Sequence, residues 1–211
     1  MAINKEFLRL YAVTDRAWVG RQTLLEQIED ALRGGVTMVQ LREKDLDEAA
    51  FVTEAIRVRD LCRRYGVPLI INDNVEVALK SGADGVHVGM EDTPVAELRN
   101  RVPVGFLIGA TCKTVEQAKA AEQAGADYMG VGAVFPSPTK KNAIRITNAR
   151  LKEICSSVAI PAVAIGGITR DNAAQLKGGG IAGIAVVSAI FGASDIRAAA
   201  EELEEMANAI I

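Results

Sequence analysis

The chain has 211 residues, 49% of them hydrophobic and 4% aromatic, with 24 Lys and Arg against 27 Asp and Glu for a formal net charge of −3. That length suits one large domain, read here as residues 1–211, and the spread of both signs leaves no basic field that would recruit nucleic acid. No apolar run approaches the roughly 20 residues that cross a bilayer, and the start "MAINKEFLRLYAVTD" lacks a signal-peptide cleavage pattern, so a cytoplasmic protein away from the membrane is expected.

Short runs rich in branched residues recur along the chain: "RLYAVT", "MVQLR", "LIIN", "GVHV", "LIGAT", "YMGVG", "AVAIG" and "GIAVVS". Between most of them lie stretches with helical spacing, such as "TLLEQIEDALRGG", "AAFVTEAIRVRDLCRRYG" and "TVEQAKAAEQAG". Strand alternating with helix argues for a parallel sheet. "GGVTMVQL", "SGADGVHV", "AGADYMGV" and "GGIAGIAV" add a second regularity, a Gly turn feeding every second strand. Eight strands in a chain of this length, with such a quasi-repeat, favour a single closed (β/α)8 TIM barrel over an open doubly wound sheet.

Chemistry in such a barrel sits at the C-terminal ends of the strands, and this selects candidates. In "VQLREKD", alternation places Gln40, Arg42 and Lys44 on one face and Leu41 and Glu43 on the other. The third strand ends in Asn72 and Asp73, the loop after the fourth supplies Glu91 and Asp92, and the fifth ends at Thr111. After the sixth come Ser137, Pro138, Thr139, Lys140 and Lys141 in "VFPSPTKK". The last two strands end in "AIGGIT" and "VVSAI".

Backbone N–H groups after the seventh and eighth strands, with a short helix start, commonly hold a phosphate, so Gly166, Gly167, Val187 and Ser188 read as one anion site. A plain strand-to-helix turn is the simpler reading of "GGI". Arg42, Lys44 and Lys140 come from other strands and imply a second anion. Asp73 and Asp92 beside it would repel it unless a cation lay between, and hard oxygen ligands of this kind describe magnesium. A diphosphate ester with the two carboxylates brings roughly five negative charges, and one magnesium ion with three cationic side chains brings about five positive. A surface salt-bridge network is the alternative reading.

With these residues in view, "LYAVTD", "VQLREK", "LIINDNVEVAL", "ADGVHVG", "GVGAVFPSPTKK", "VAIGGI" and "VVSAI" make the chain, from about residue 8 to about 192, resemble the thiamine-phosphate synthase family. The resemblance implies a transferase joining 4-amino-2-methyl-5-hydroxymethylpyrimidine diphosphate to 4-methyl-5-(2-phosphooxyethyl)thiazole, giving thiamine phosphate and pyrophosphate. It implies that the stretch Gln40, Leu41, Arg42, Glu43, Lys44, with Asn72, Thr111 and Lys140, meets the pyrimidine diphosphate, and that Asp73 and Asp92 ligate Mg2+. It implies further that Ser137, Pro138, Thr139, Gly167, Val187 and Ser188 meet the thiazole phosphate. Arg42, Lys44, Lys140 and Thr111 would serve catalysis. Thr111 stands where the family commonly has Ser, and Met90 where it commonly has Gln.

Leaving-group electrostatics suits a dissociative displacement that needs no general base. His87, the only histidine, lies in the fourth strand and reads as an internal barrel residue held by hydrogen bonds, with a general base as the rival. Cys62, Cys112 and Cys155 show no metal or disulfide spacing and read as ordinary thiols, Cys112 as packing. "DRAWVGRQ" after the first strand is either a lid or a connecting loop. Two other functions stay open: a thiazole tautomerase-like paralogue, and a non-enzymatic barrel that binds a phosphorylated metabolite. The expected partners are small-molecule substrates. The apolar stripe of "IRAAAEELEEMANAII" fits either the barrel wall or a homo-oligomer contact.

Overall fold

The computed structural model describes residues 3–20, 22–89, 91–136 and 145–211. Eight parallel strands close on themselves in sequence order: β1 (Leu10–Val13), β2 (Met38–Leu41), β3 (Leu69–Asn72), β4 (Gly85–Val88), β5 (Leu107–Cys112), β6 (Tyr128–Gly132), β7 (Ala162–Ile165) and β8 (Gly183–Val186). β8 pairs with β1, with Leu10 opposite Ile184, so no strand edge is left open. The helices are α1 (Leu24–Arg33), α2 (Glu48–Arg64), α3 (Val75–Ser81), α4 (Val95–Arg101), α5 (Val115–Gln123), α6 (Asn148–Ser156), α7 (Ser188–Phe191) and α8 (Ile196–Ile210). This is the (β/α)8 barrel expected from the alternating pattern. Among the described residues, no helix is long and apolar enough to cross a membrane.

Local sequence explains where helices begin. Thr23 caps α1 by accepting from the Glu26 N–H, while the Glu26 carboxylate accepts from the Thr23 N–H at 2.7 Å. Such a capping box is worth about 1 kcal/mol. The crossover from β7 to β8 departs from the pattern, with only a 3-10 turn over Ala173–Leu176. Gly178, Gly179 and Gly180 follow at once, and a run of glycines carries too large an entropy cost to continue a helix.

Alternation along the strands sorts the apolar residues into two cores. Leu10, Val39, Leu41, Ile71, Val86 and Ile108 face outward into the layer beneath the helices. Leu8, Tyr11, Met38, Ile70, Tyr128, Val163 and Ala185 fill the barrel interior. By the same alternation Gln40, Asn72, His87 and Thr111 point inward at or near the C-terminal rim, Gln40 buried and the other three half-buried.

The quasi-repeat has a physical basis at the opposite end of the barrel. Gly35, Gly82, Gly125 and Gly180 all have positive φ, and each lies three residues before the first residue of an even-numbered strand. Two residues after the first three of them stand Thr37, Asp84 and Asp127. Their side chains accept the N–H of Leu10, Leu69 and Ile108 at 2.9, 2.8 and 2.7 Å, while their own N–H groups return a bond to the carbonyls of the same three residues. In the fourth repeat the position is Ala182, which keeps the backbone bond to Ala162 and lacks the side-chain one. Each polar side chain thus ties the start of one strand to the loop entering the next.

Candidate active site

β2 ends at Leu41, so Arg42 and Lys44 lie just beyond the strand rather than on its face. The Arg42 N–H is held by Thr14 Oγ1 at 3.0 Å, and its guanidinium lies 3.8 Å from Asp15. Lys44 is exposed. Leu41 packs outward under the helices and is fully buried, so its side chain is turned away from the mouth. Glu43 is equally occupied: its side chain is 1% exposed and pairs with Arg16 at 2.6 Å. Strand alternation foresaw that these two face away from Gln40.

Asp73 takes an unusual backbone conformation, with φ of 62°, although it carries a side chain. Its N–H donates to the His87 carbonyl at 2.8 Å, which locks the turn after β3 onto β4. The left-handed turn aims the carboxyl at Asp92, and Asn72 donates to it from the other side. Asp92 is itself fixed by the Gly89 N–H at 2.7 Å. Burial, then the neighbouring Asp92 carboxylate, pushes the Asp73 pKa up to about 6, with Asn72 and the Arg42 charge pulling it down. Two carboxylates held this close, beside an arginine, form a place that a divalent cation would relieve. Among the described residues no group of three or more His, Cys, Asp or Glu side chains converges.

Gly166 and Gly167 follow β7 with φ of 104° and 63°. A Cβ at Gly166 would fall within 3.0 Å of Ala133, and one at Gly167 within 3.0 Å of the Phe135 and Pro136 carbonyl oxygens. The glycines therefore let two loops pack backbone to backbone: Phe135 N–H donates to the Gly166 carbonyl at 3.0 Å. Asn172 clasps the turn, donating to the Gly167 carbonyl and accepting from the Thr169 N–H, both at 2.9 Å. Val187 and Ser188 open the short helix α7, as the sequence suggested. The loop after β6 that this turn supports carries Ser137, Pro138, Thr139, Lys140 and Lys141, which lie outside the described residues, as does Met90.

A chain of polar groups crosses the barrel interior below this rim. Gln40 Nε2 donates to Tyr11 Oη at 2.7 Å, Tyr11 and Tyr128 hydroxyls meet at 2.9 Å, Tyr128 Oη lies 3.2 Å from His87 Nδ1, and His87 Nε2 lies 3.1 Å from Thr111 Oγ1. Burial pushes the His87 pKa down to about 4, so the ring is neutral at physiological pH, and burial raises both phenols. His87 is thus the internal, hydrogen-bonded residue expected. The sequence reading passed over Tyr11 and Tyr128, although two inward-facing tyrosines in barrel strands signal phenols in need of partners. It also passed over Asp15 and Arg16, which steady the cationic loop.

Cys112 is 1% exposed and burial raises its thiol pKa to about 12, which leaves it as packing. Trp18 sits in a 3-10 turn capped by Asp15, with its carbonyl accepting from Gln27 Nε2 at 2.7 Å. A Cβ on Gly192, just past α7, would approach the Trp18 ring to 3.1 Å, so the loop after β1 rests against the end of α7.

A closed parallel barrel with Arg42 and a carboxylate pair at its C-terminal rim belongs to the class of TIM-barrel enzymes. Within that class the chain belongs to the thiamine monophosphate synthase family, whose description matches residues 10–190. It is 47% identical over 197 residues to the thiamine-phosphate synthase of Ruminiclostridium cellulolyticum, covering 93% of this chain and 94% of that one. The thiamine-phosphate synthase of Methanobrevibacter smithii is 44% identical over 201 residues, covering 95% and 96%. Among solved structures, the thiamine phosphate pyrophosphorylase of Pyrococcus furiosus superposes with a TM-score of 0.90 at 39% identity, covering 98% of each chain. The chain is accordingly an enzyme of thiamine biosynthesis that forms thiamine phosphate by condensation.

Proposed function

We propose that the whole chain acts as one barrel in the cytoplasm, joining 4-amino-2-methyl-5-hydroxymethylpyrimidine diphosphate to 4-methyl-5-(2-phosphooxyethyl)thiazole and releasing pyrophosphate. The observation that carries this reading is the Asp73–Asp92 pair beside Arg42, in which Asp92 faces the buried Asp73 carboxyl at the rim of a barrel from a thiamine phosphate-forming family. A Mg2+ ion held there with the substrate's diphosphate would neutralise charge on the leaving group. Arg42, Lys44 and Lys140 bind the same diphosphate and stabilise the negative charge that grows on it as the carbon–oxygen bond at the pyrimidine methylene breaks.

The bond-breaking step leaves a cationic pyrimidine methylene, which the 4-amino ring delocalises, and the thiazole nitrogen then supplies the electron pair for the new carbon–nitrogen bond. Neither step transfers a proton, and this agrees with the chemistry of the described residues. His87 is neutral and engaged on both nitrogens, and Cys112 is a buried thiol. Gln40, Asn72 and Thr111 orient the pyrimidine, while Ser137, Thr139, Gly167, Val187 and Ser188 hold the thiazole phosphate and so fix its nitrogen on the attacking face. Leu41 and Glu43, whose side chains turn away from the mouth, meet the diphosphate through their backbone, and Pro138 goes with the thiazole phosphate contacts.

Substitution separates the two anion roles. Lys140→Ala should lower kcat with little change in KM for the thiazole phosphate, and Ser188→Ala should raise that KM with kcat largely kept. Loss of kcat alone from both variants would overturn the division into two anion sites.

A further inference from the structure

We propose that the cavity at the N-terminal end of the barrel, beside the segments that enter β7 and β8, binds a small monocarboxylate with an apolar body, one oxygen of which takes the place of a side-chain acceptor that the fourth repeat lacks. The cavity lies at the opposite end of the barrel from the mouth, apart from the residues assigned to the condensation.

The chain's own repeats define the missing group. Thr37, Asp84 and Asp127 each accept an N–H at the start of β1, β3 or β5, at 2.9, 2.8 and 2.7 Å. The equivalent donor in the fourth repeat is the Ala162 N–H at the start of β7, and the equivalent acceptor position is Ala182, which has none to offer. The N–H and carbonyl of one residue in a parallel strand face the same neighbour. The Ala162 carbonyl accepts from the Ala182 N–H at 2.7 Å, so its own N–H is directed to the same segment, where no acceptor among the described residues meets it. Ala162 is only 2% exposed, and a buried backbone donor without a partner is rare in a folded chain.

Pro161 and Ala182, on either side of that donor, both line a cavity of about 460 Å3, a size that suits a small molecule. Val158, Ile160, Pro161 and Ile181 give it an apolar wall, while Lys5, Glu6, Arg9 and Asn208 form its polar side. Arg9 Nε is buried and makes no hydrogen bond, its nearest carboxylate being Glu204 at 3.6 Å. The other two guanidinium nitrogens are taken, by Asn208 and Glu6, both at 3.0 Å. A second unmet donor thus borders the same space. Lys5 and Arg9 balance Glu6 and Glu204, so the surroundings are neutral and a ligand of one negative charge is favoured over a phosphate of nearly two. The third repeat shows how such a group is held: one Asp127 oxygen takes both the Ile108 N–H at 2.7 Å and the Arg99 guanidinium at 2.6 Å. A ligand carboxylate between the Ala162 N–H and Arg9 repeats that arrangement, with its apolar body on the wall.

Ala162 is the only alanine that follows a proline in this chain, so labelling with 13C-carbonyl proline and 15N-alanine leaves its amide as the single signal of an HNCO spectrum. Hexanoate is the probe, titrated into the whole enzyme without substrates. A saturable downfield shift of the Ala162 amide proton is the expected result, and hexylammonium, which has the same apolar chain and no acceptor, should leave that proton in place. Ala182→Asp, which copies Asp84 and Asp127, should move the amide without any ligand, raise the melting temperature by roughly 2–4 °C and weaken hexanoate about tenfold or more. Ala182→Thr, which copies Thr37, should also move the amide, and kcat should be unchanged in both variants. A Ala162 amide that does not respond saturably to hexanoate, or that responds equally to hexylammonium, overturns the carboxylate site. So does an amide unmoved by both substitutions, because the donor would then already have a partner.

Discussion

Replacing Gly109 by Ala puts a methyl group where Tyr128 Cζ, Tyr128 Oη and His87 Nδ1 all lie within 3.0 Å, whereas ordinary contact begins at 3.4 Å. Relief requires the phenol and the imidazole to separate from the new carbon by about an ångström, in an interior close-packed on every side. Tyr128 is fully buried, so the movement breaks its bonds to Tyr11 and His87 without water to replace them. Overpacking of this kind costs roughly 1–3 kcal/mol, and stranding one buried polar group adds about 1–3 kcal/mol more. A loss of at least about 2 kcal/mol lowers the melting temperature of a domain this size by roughly 4–8 °C. Thermal unfolding followed by circular dichroism reads the change directly. Gly130→Ala is the internal comparison: its Cβ would approach the imidazole at 3.2 Å, a crowding that a few tenths of an ångström of ring movement relieves, so a smaller loss is expected. A Gly109→Ala protein melting within about 1 °C of the parent would refute this packing argument for the Tyr128–His87 contact.

Three other perturbations probe separate parts of the molecule. The Asp73 carboxyl, with its pKa raised to about 6, sits above its unfolded value, so the stability it lends is present below about pH 4 and lost as pH rises through about 6; Asp73→Asn should therefore raise the metal-free melting temperature at pH 7.5 relative to the parent and leave it near the parent at pH 4. In the same linkage, magnesium and a proton compete for Asp73, so metal affinity in the presence of pyrophosphate, measured by calorimetry, should weaken on going from pH 7 to pH 5. At the far end of the barrel, Asp127→Ala strands the Ile108 N–H and leaves the Arg99 guanidinium, which Asp127 binds at 2.6 Å, with only the Gly125 and Phe106 carbonyls, so a loss of about 1–3 kcal/mol in denaturant unfolding is expected, with kcat unchanged in the surviving fold.

Strand positions were legible because each is a run of branched residues beginning shortly after a turn, and the even-numbered ones are marked by a Gly whose positive φ the chain requires. The rim candidates were legible for the same reason, since a residue at the end of a parallel barrel strand has little choice of location. Other features depend on distant residues and leave no local signal. Nothing near Asp73 announces a left-handed backbone, which exists because its N–H reaches the His87 carbonyl on the next strand. The engagement of Gln40 with Tyr11 joins residues 29 apart, and the two tyrosines that meet are 117 apart. Alternation showed that Glu43 turns away from Gln40, yet only the fold reveals Arg16 as its partner. "GGI" was read as a site for an anion, and its glycines prove to be needed first by the close packing of the β7 and β6 loops.

The two-anion, metal-assisted site is tested most directly by incubating the purified enzyme with the pyrimidine diphosphate and the thiazole phosphate, with magnesium and then with EDTA, and measuring thiamine phosphate itself. Product that forms with magnesium, disappears with EDTA and returns when the metal is restored is the expected result. Product formed equally well in EDTA would contradict the proposal that Asp73 and Asp92 hold a cation which assists departure of the diphosphate.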